Sequence, residues 1–230
     1  MREPSPLNEL GALYHDYSFF GHRNKQKPGI YPANQSSKEP IILSYMAYAI
    51  AQSSMLNDGD VSFAELFCAD GYYAMAAASL GCATSVGMDN NRDGHFTKAE
   101  ETADMLGLPQ VSFETVEISP EAEIRSFDIV ANVGGLYHVD DPEGILEKSY
   151  EISDKFLIVQ TVVTLKNNDP DYYIAPAPGW TWGNRYSQAS FDKMMRSKYG
   201  DQILFSQANE LKGNGRITNR GSVYYLIKKF

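Results

Sequence analysis

Between 61 and 164 the chain alternates short, nearly continuous apolar runs with stretches of helical periodicity. The runs at 61–68, 83–88, 111–118, 127–133 and 155–164 read as strands, rich in β-branched and aromatic residues. The last is unbroken, as expected of a central parallel strand covered on both faces. Helices are predicted over about 73–80, 96–106 and 141–152. The third opens with Asp141, Pro142 and Glu143, an N-cap followed by a first-turn proline and a first-turn acid. Upstream, Pro40 is expected to open a helix that runs to about 56 and ends over Asn57 to Asp60. Downstream, a helix over 190–199 precedes strands at 202–207 and 222–228, which a Gly- and Asn-rich turn separates.

Strand–helix alternation closed by a strand pair predicts an α/β fold, a doubly wound, mostly parallel sheet with an antiparallel edge strand and helices on both faces. One domain over 1–230 is expected. It divides into an N-terminal cap at 1–39, a core at 40–164, an insertion at 165–187 and a closing helix and strands at 188–230. The cap is too aromatic for a disordered tail. The insertion is rich in aromatic residues and proline, and irregular segments of that length in compact domains are usually functional.

Composition narrows the function. With 230 residues, 43% of them hydrophobic, the chain can bury a substantial core. The formal net charge of −9 repels phosphate backbones and makes nucleic acid a poor partner. The longest apolar stretch, 41–51, is too short to span a bilayer. Two cysteines beside predicted strands, with no metal-ligand spacing and no apolar signal core at the N-terminus, point to a reducing, cytoplasmic location. No metal is expected. Asp140 and Asp141 are explained as a surface acid and a helix cap.

Ligands of doubly wound sheets sit outside the carboxyl ends of the strands, so chemistry is sought there. Gly71, after the first strand, allows close backbone approach and adjoins a helix N-terminus. Asp89 ends the second strand 18 residues later, close to the roughly 20 expected for an acid that accepts from ribose hydroxyls. Glu117 and Ile118, after the third strand, offer a polar edge and an apolar face.

The segment Glu65-Leu-Phe-Cys-Ala-Asp-Gly71, the acid Asp89, and the stretch from Phe127 through His138 to Pro142 resemble the successive motifs of class I S-adenosylmethionine-dependent methyltransferases. That resemblance covers about 61–164 and implies a Rossmann-like sheet of seven strands. The implied cofactor is S-adenosylmethionine, with S-adenosylhomocysteine as product. The resemblance places Asp89, with its neighbour Asn90, on the ribose, and Glu117 and Ile118 at the adenine. Asn132, Val133 and Gly134 fall near the sulfonium, and the turn containing Phe67, Ala69, Gly71 and Tyr72 lies at the methionine end. Glu65 matches the acid of the family's first strand. The pattern there is acid-x-Gly-x-Gly-x-Gly, and Phe67 and Ala69 occupy its first two glycine positions. Their presence puts the turn geometry in question.

The acceptor side is read from the fourth strand onward. His138 follows that strand and titrates near neutrality, which makes it the candidate catalytic base. Tyr14, His15, Tyr17 and Tyr31 from the cap, with Trp180, Trp182, Asn184 and Arg185 from the insertion, are expected to enclose an acceptor. Arg185 would suit a carboxylate or phosphate. The function expected is methyl transfer to an oxygen or nitrogen of a small-molecule or saccharide-like acceptor. Three alternatives stand beside it. A weaker likeness to tRNA wobble-uridine modifying enzymes suggests one. A non-catalytic cofactor-binding module would fit the substitutions at Phe67 and Ala69, and an NAD-dependent dehydrogenase is a third option, which the glycine-poor turn argues against. The sequence leaves a homodimer open.

Overall fold

The computed structural model describes residues 5–56 and 59–229. The expected helix end at Asn57 and Asp58 lies outside them. Within them, five strands form the parallel half of one sheet, in the order β3 (Val111–Thr115), β2 (Thr84–Asp89), β1 (Ser62–Leu66), β4 (Phe127–Val133) and β5 (Ser153–Thr164). Ala64 of β1 pairs with Val86 on one side and Val130 on the other, which fixes the central register. Every side chain of β4 but Asp128 is buried, as a strand covered on both faces requires.

The sheet has nine strands rather than seven. The two additions are short. β7 (Arg185–Ser187) continues the sheet beside the last residues of β5, and β6 (Tyr173–Ile174) pairs antiparallel with β7. Both lie in the segment expected to be irregular. The closing strands are β8 (Ile203–Glu210) and β9 (Gly221–Lys228). β9 runs antiparallel between β5 and β8, so the main antiparallel strand is interior; β6 and β8 end the sheet beyond β5, and β3 ends it on the other side.

Helix α1 (Tyr31–Leu56) begins nine residues before the expected start. The first-turn proline rule holds, but for Pro32; Pro40 sits inside the helix on an exposed face. The apolar positions Ile42, Tyr45, Met46, Ala49 and Ile50 recur at helical spacing and pack on the sheet core. Helix α2 (Tyr72–Ser79) has no solvent side: Tyr72 through Ala78 are all buried. Its alanines let it lie close to the sheet. Helices α3 (Phe96–Met105), α4 (Pro142–Glu151) and α5 (Gln188–Tyr199) fall where expected to within about two residues at each end. Asp141 caps α4 by accepting from the Gly144 N–H at 2.9 Å, and Pro142 is its first residue. Among the described residues no helix is long and apolar enough to cross a membrane.

Candidate active site

The turn after β1 is left-handed at all three motif positions, although only the third is a glycine. Phe67, Ala69 and Gly71 alternate in left-handed conformations, with φ of 59°, 49° and 70°. A left-handed residue with a Cβ costs about 1–2 kcal/mol, so two such residues in one short turn mark a geometry that the surroundings impose. Part of what imposes it is visible. The Phe67 ring fills the space over Gly135, where an added Cβ would stand 1.9 Å from the ring. Gly71 is required twice over, for its φ and because a Cβ there would stand 2.2 Å from Phe113. Gly71 is thus turned onto Phe113, and the ligand-facing part of the turn is 67–69.

A cavity of about 740 Å³ opens beyond the ends of β1 to β4, within the roughly 300–1,000 Å³ usual for small-molecule sites. At one end Asp89 closes β2. Its Oδ2 accepts from the Ala69 N–H at 3.3 Å and its Oδ1 from the Asn91 N–H at 2.9 Å, so one carboxylate joins the turn to the strand end. Asn90 donates to Glu117 at 3.3 Å, which ties the ends of β2 and β3, and Ile118 lies beside them. Glu65 faces the cavity from β1 and accepts from the Ala74 N–H at 2.8 Å. Burial pushes its carboxyl well up, an effect the Ala74 hydrogen bond only partly offsets.

At the other end the walls come from five separated segments. Val133 and Gly134 end β4, and a 3-10 turn over Leu136–His138 follows. The His138 ring stacks on Trp182 at 4.8 Å, with Trp180 at 5.8 Å. Burial under these rings, then the positive charges of Arg185 and Lys38, hold His138 below its ordinary basicity. Tyr14 and His15 reach in from the N-terminal segment, Lys38 from α1 and Tyr73 from α2.

Of the expected site residues, Glu65, Phe67, Ala69, Asp89, Asn90, Glu117, Ile118, Val133, Gly134, Tyr14, His15, His138 and Trp182 line this cavity. The others do not. Tyr17 is fully buried and its hydroxyl donates to the Asp70 carbonyl at 3.4 Å. Tyr72 is a core residue of α2, stacked on His15. Asn132 turns its amide to Ser149 of α4 at 2.9 Å. Tyr31 and Trp180 stand one layer back, against Tyr14 at 4.8 Å and Trp182 at 4.3 Å.

Asn184 and Arg185 face the protein instead of a ligand. The Asn184 amide donates to the Leu136 and Val139 carbonyls at 2.7 and 2.8 Å, and its N–H to the Tyr137 carbonyl at 3.1 Å, so it grips the turn that carries His138. Arg185 is fully buried. It donates to Asn219 at 3.0 Å and to the Tyr137 carbonyl at 3.3 Å, and lies over the rings of Tyr137 and Trp180 at 5.0 and 5.3 Å. Its Nε and Nη1 are engaged by the Asn219 side chain and by backbone carbonyls, and ring faces lie over the guanidinium, which is why it does not reach the acceptor space.

Sequence reasoning missed Lys38, Tyr73, Arg92, Asp93 and His95 as wall residues. Lys38 was hidden by the misplaced start of α1. Had Pro32 been taken as the first-turn proline, Lys38 would have fallen on the first exposed turns of a helix leading into the core.

No family model matches the chain, and no curated protein matches it by sequence. Solved structures do match. Magnesium protoporphyrin IX methyltransferase from Synechocystis PCC 6803 with bound S-adenosylhomocysteine superposes with a TM-score of 0.64 over 94% of this chain and 96% of that one, at 12% identity. The N-terminal domain of EvdMO1, in the presence of S-adenosylhomocysteine and D-fucose, gives 0.60 over 96% and 93% at 17% identity. Coclaurine N-methyltransferase, bound to N-methylheliamine and S-adenosylhomocysteine, gives 0.57 over 81% and 72% at 13% identity. The chain therefore has the Rossmann-like fold of class I S-adenosylmethionine-dependent methyltransferases.

Proposed function

We propose that the protein is an S-adenosylmethionine-dependent methyltransferase acting on an oxygen or nitrogen of a small-molecule or saccharide-like acceptor. One observation carries the proposal. The left-handed turn 67–71 and the carboxylate of Asp89 are joined by a hydrogen bond and share one cavity at the strand ends. That pairing suits a ligand with a diol at one end and an amino-acid tail at the other.

The residues present fit such a group. Asp89 keeps lone pairs for ribose hydroxyls beyond the two backbone N–H groups it already serves. Glu117 and Ile118 provide the edge and the face for adenine. Phe67, Cys68 and Ala69 present main chain to the tail, and the buried hydroxyl of Tyr73 has no partner among the described residues. When bound, the cofactor supplies an activated methyl on a sulfonium, so the protein's work is positioning and exclusion of water. Tyr14, His138 and Trp182 form an aromatic wall for the acceptor. Burial and the positive charges of Arg185 and Lys38 make His138 a weak base that would hold a captured proton poorly, so it suits an orienting hydrogen bond to the acceptor better than capture of its proton.

The neighbours' bound molecules, D-fucose and N-methylheliamine, support an acceptor of modest size. Asp93, Asp140 and Asp141 on the same cavity argue against a polyanionic one. The test is calorimetry and thermal unfolding with S-adenosylhomocysteine and with NAD, followed by release of S-adenosylhomocysteine over a panel of sugars, phenols and amines. Saturable binding and a raised Tm with S-adenosylhomocysteine alone are expected. Stabilisation by NAD instead would refute the reading, and binding with no turnover across the panel would favour a binding module.

A further inference from the structure

The two ring nitrogens of His15 have opposite surroundings. Its Nδ1 lies 2.6 Å from Asp70 Oδ1, and its backbone N–H donates to Asp70 Oδ2 at 3.0 Å. Its Nε2 is buried and has no hydrogen-bond partner among the described residues. The residue is 4% exposed, yet it lines the cavity. Leaving a buried polar atom unpaired costs about 1–3 kcal/mol, and here the cost falls on a side chain of the cavity wall.

The position of the proton follows from Asp70. Burial would raise its carboxyl, but the hydrogen bonds it accepts, from the His15 backbone N–H on one oxygen and from Nδ1 on the other, help hold it below the usual carboxylate range. An ionised carboxylate only accepts, so Nδ1 is the donor and the neutral ring carries its lone pair on Nε2. The groups around the ring are Asp70 from the β1–α2 turn, Tyr72 and Tyr73 from α2, and Tyr14 beside it. Lys38 and Glu65 share the cavity wall. Asp70 is the anion placed to stabilise an imidazolium formed at this position. His138, by contrast, lies under the positive charges of Lys38 and Arg185.

Building on the methyltransferase reading, we infer that the His15–Asp70 pair is the proton acceptor of the reaction, with Nε2 of His15 receiving the hydrogen from the acceptor's O–H or N–H. The acceptor's heteroatom forms its bond to the methyl carbon, and the carbon–sulfur bond breaks with its electron pair left on sulfur. The heteroatom–hydrogen bond breaks with its pair left on the heteroatom, and the proton goes to Nε2. His15 leaves the step as an imidazolium paired with Asp70 and returns the proton to solvent.

The experiment has three readouts on wild type, His15→Gln and Asp70→Asn. Long-range 1H–15N spectra of histidine-labelled protein with S-adenosylhomocysteine at pH 8 should show the His15 proton on Nδ1. Calorimetry should show S-adenosylhomocysteine affinity within about threefold of wild type for His15→Gln. Turnover of the acceptor found in the panel should fall about 100-fold in His15→Gln, the low end of general-base effects. Asp70→Asn preserves the shape of the pair and should lose about tenfold or more. A proton on Nε2, a tenfold loss of S-adenosylhomocysteine affinity in His15→Gln, or turnover within threefold of wild type would each overturn the inference. The first two readouts need no acceptor, so they judge the pair even where the acceptor reading fails.

Discussion

Replacing Ala69 by glycine should stabilise this protein, against the usual effect of that change. Alanine at φ 49° bears a left-handed penalty of about 1–2 kcal/mol. Its methyl group borders the cavity, so its removal leaves no hole in the apolar core. Against the relief stands the greater freedom of glycine in the unfolded chain, about 0.5–1 kcal/mol. The net gain is about 0.5–1 kcal/mol, worth roughly 1–4 °C in Tm for a domain of this size. Differential scanning calorimetry on Ala69→Gly measures it. Ala76→Gly, in the buried helix α2, is the control and should lose stability. A drop in Tm for Ala69→Gly comparable to the control's would show that the turn does not adopt the left-handed form, and the argument for a conserved cofactor turn would go with it.

Other outcomes follow from the same geometry. Asp89→Ala should weaken S-adenosylhomocysteine binding by about 1–3 kcal/mol, since hydrogen bonds to a charged acceptor are lost; calorimetry reads it, and unchanged affinity would contradict the ribose assignment. Gly135→Ala should displace the Phe67 ring and destabilise the fold by about 1–3 kcal/mol, whereas the same change in a Phe67→Ala background should be far milder; a denaturant double-mutant cycle with no coupling would refute their contact. Asn184→Ala should cost about 1–3 kcal/mol through the two carbonyls it leaves unpaired, and should loosen the 136–139 turn as seen by hydrogen exchange. For Glu65 the folded carboxyl titrates above its unfolded value of 4.5, so its contribution is fully present below that value and is lost as pH rises toward the folded value. Glu65→Gln should therefore gain on wild type as pH increases above about 5, and parallel stability–pH curves would show that the carboxyl is not buried as described.

How much of this could be read from the chain depended on the range of the interactions involved. Strands β1, β2, β4 and β5 were legible because their side chains are buried on both faces, and β4 was placed to the residue. The cavity position of Asp89, Glu117, Ile118 and Gly134 was legible because they follow strand ends directly. What failed was set by contacts between distant segments. Nothing local to Pro40 says that it is tolerated inside a helix while Pro32 starts it. Tyr17 looked like a pocket aromatic because its burial depends on Asp70, 53 positions away. Arg185 looked like an anion receptor because its partners, Asn219 and the Tyr137 carbonyl, come from elsewhere in the chain. Phe67 was the most instructive case. By propensity it counts against the turn, and only the bare backbone of Gly135 opposite shows how the ring is housed.

The short strand β7 sews the insertion onto the last two residues of β5, Val163 and Thr164. The proposed acceptor wall is thereby anchored to the scaffold at its C-terminal end before any molecule arrives. Recognition at this wall would forfeit little disorder, and the loop at 175–182 could be exchanged between anchored ends to alter which molecules are accepted while the sheet beneath remains intact.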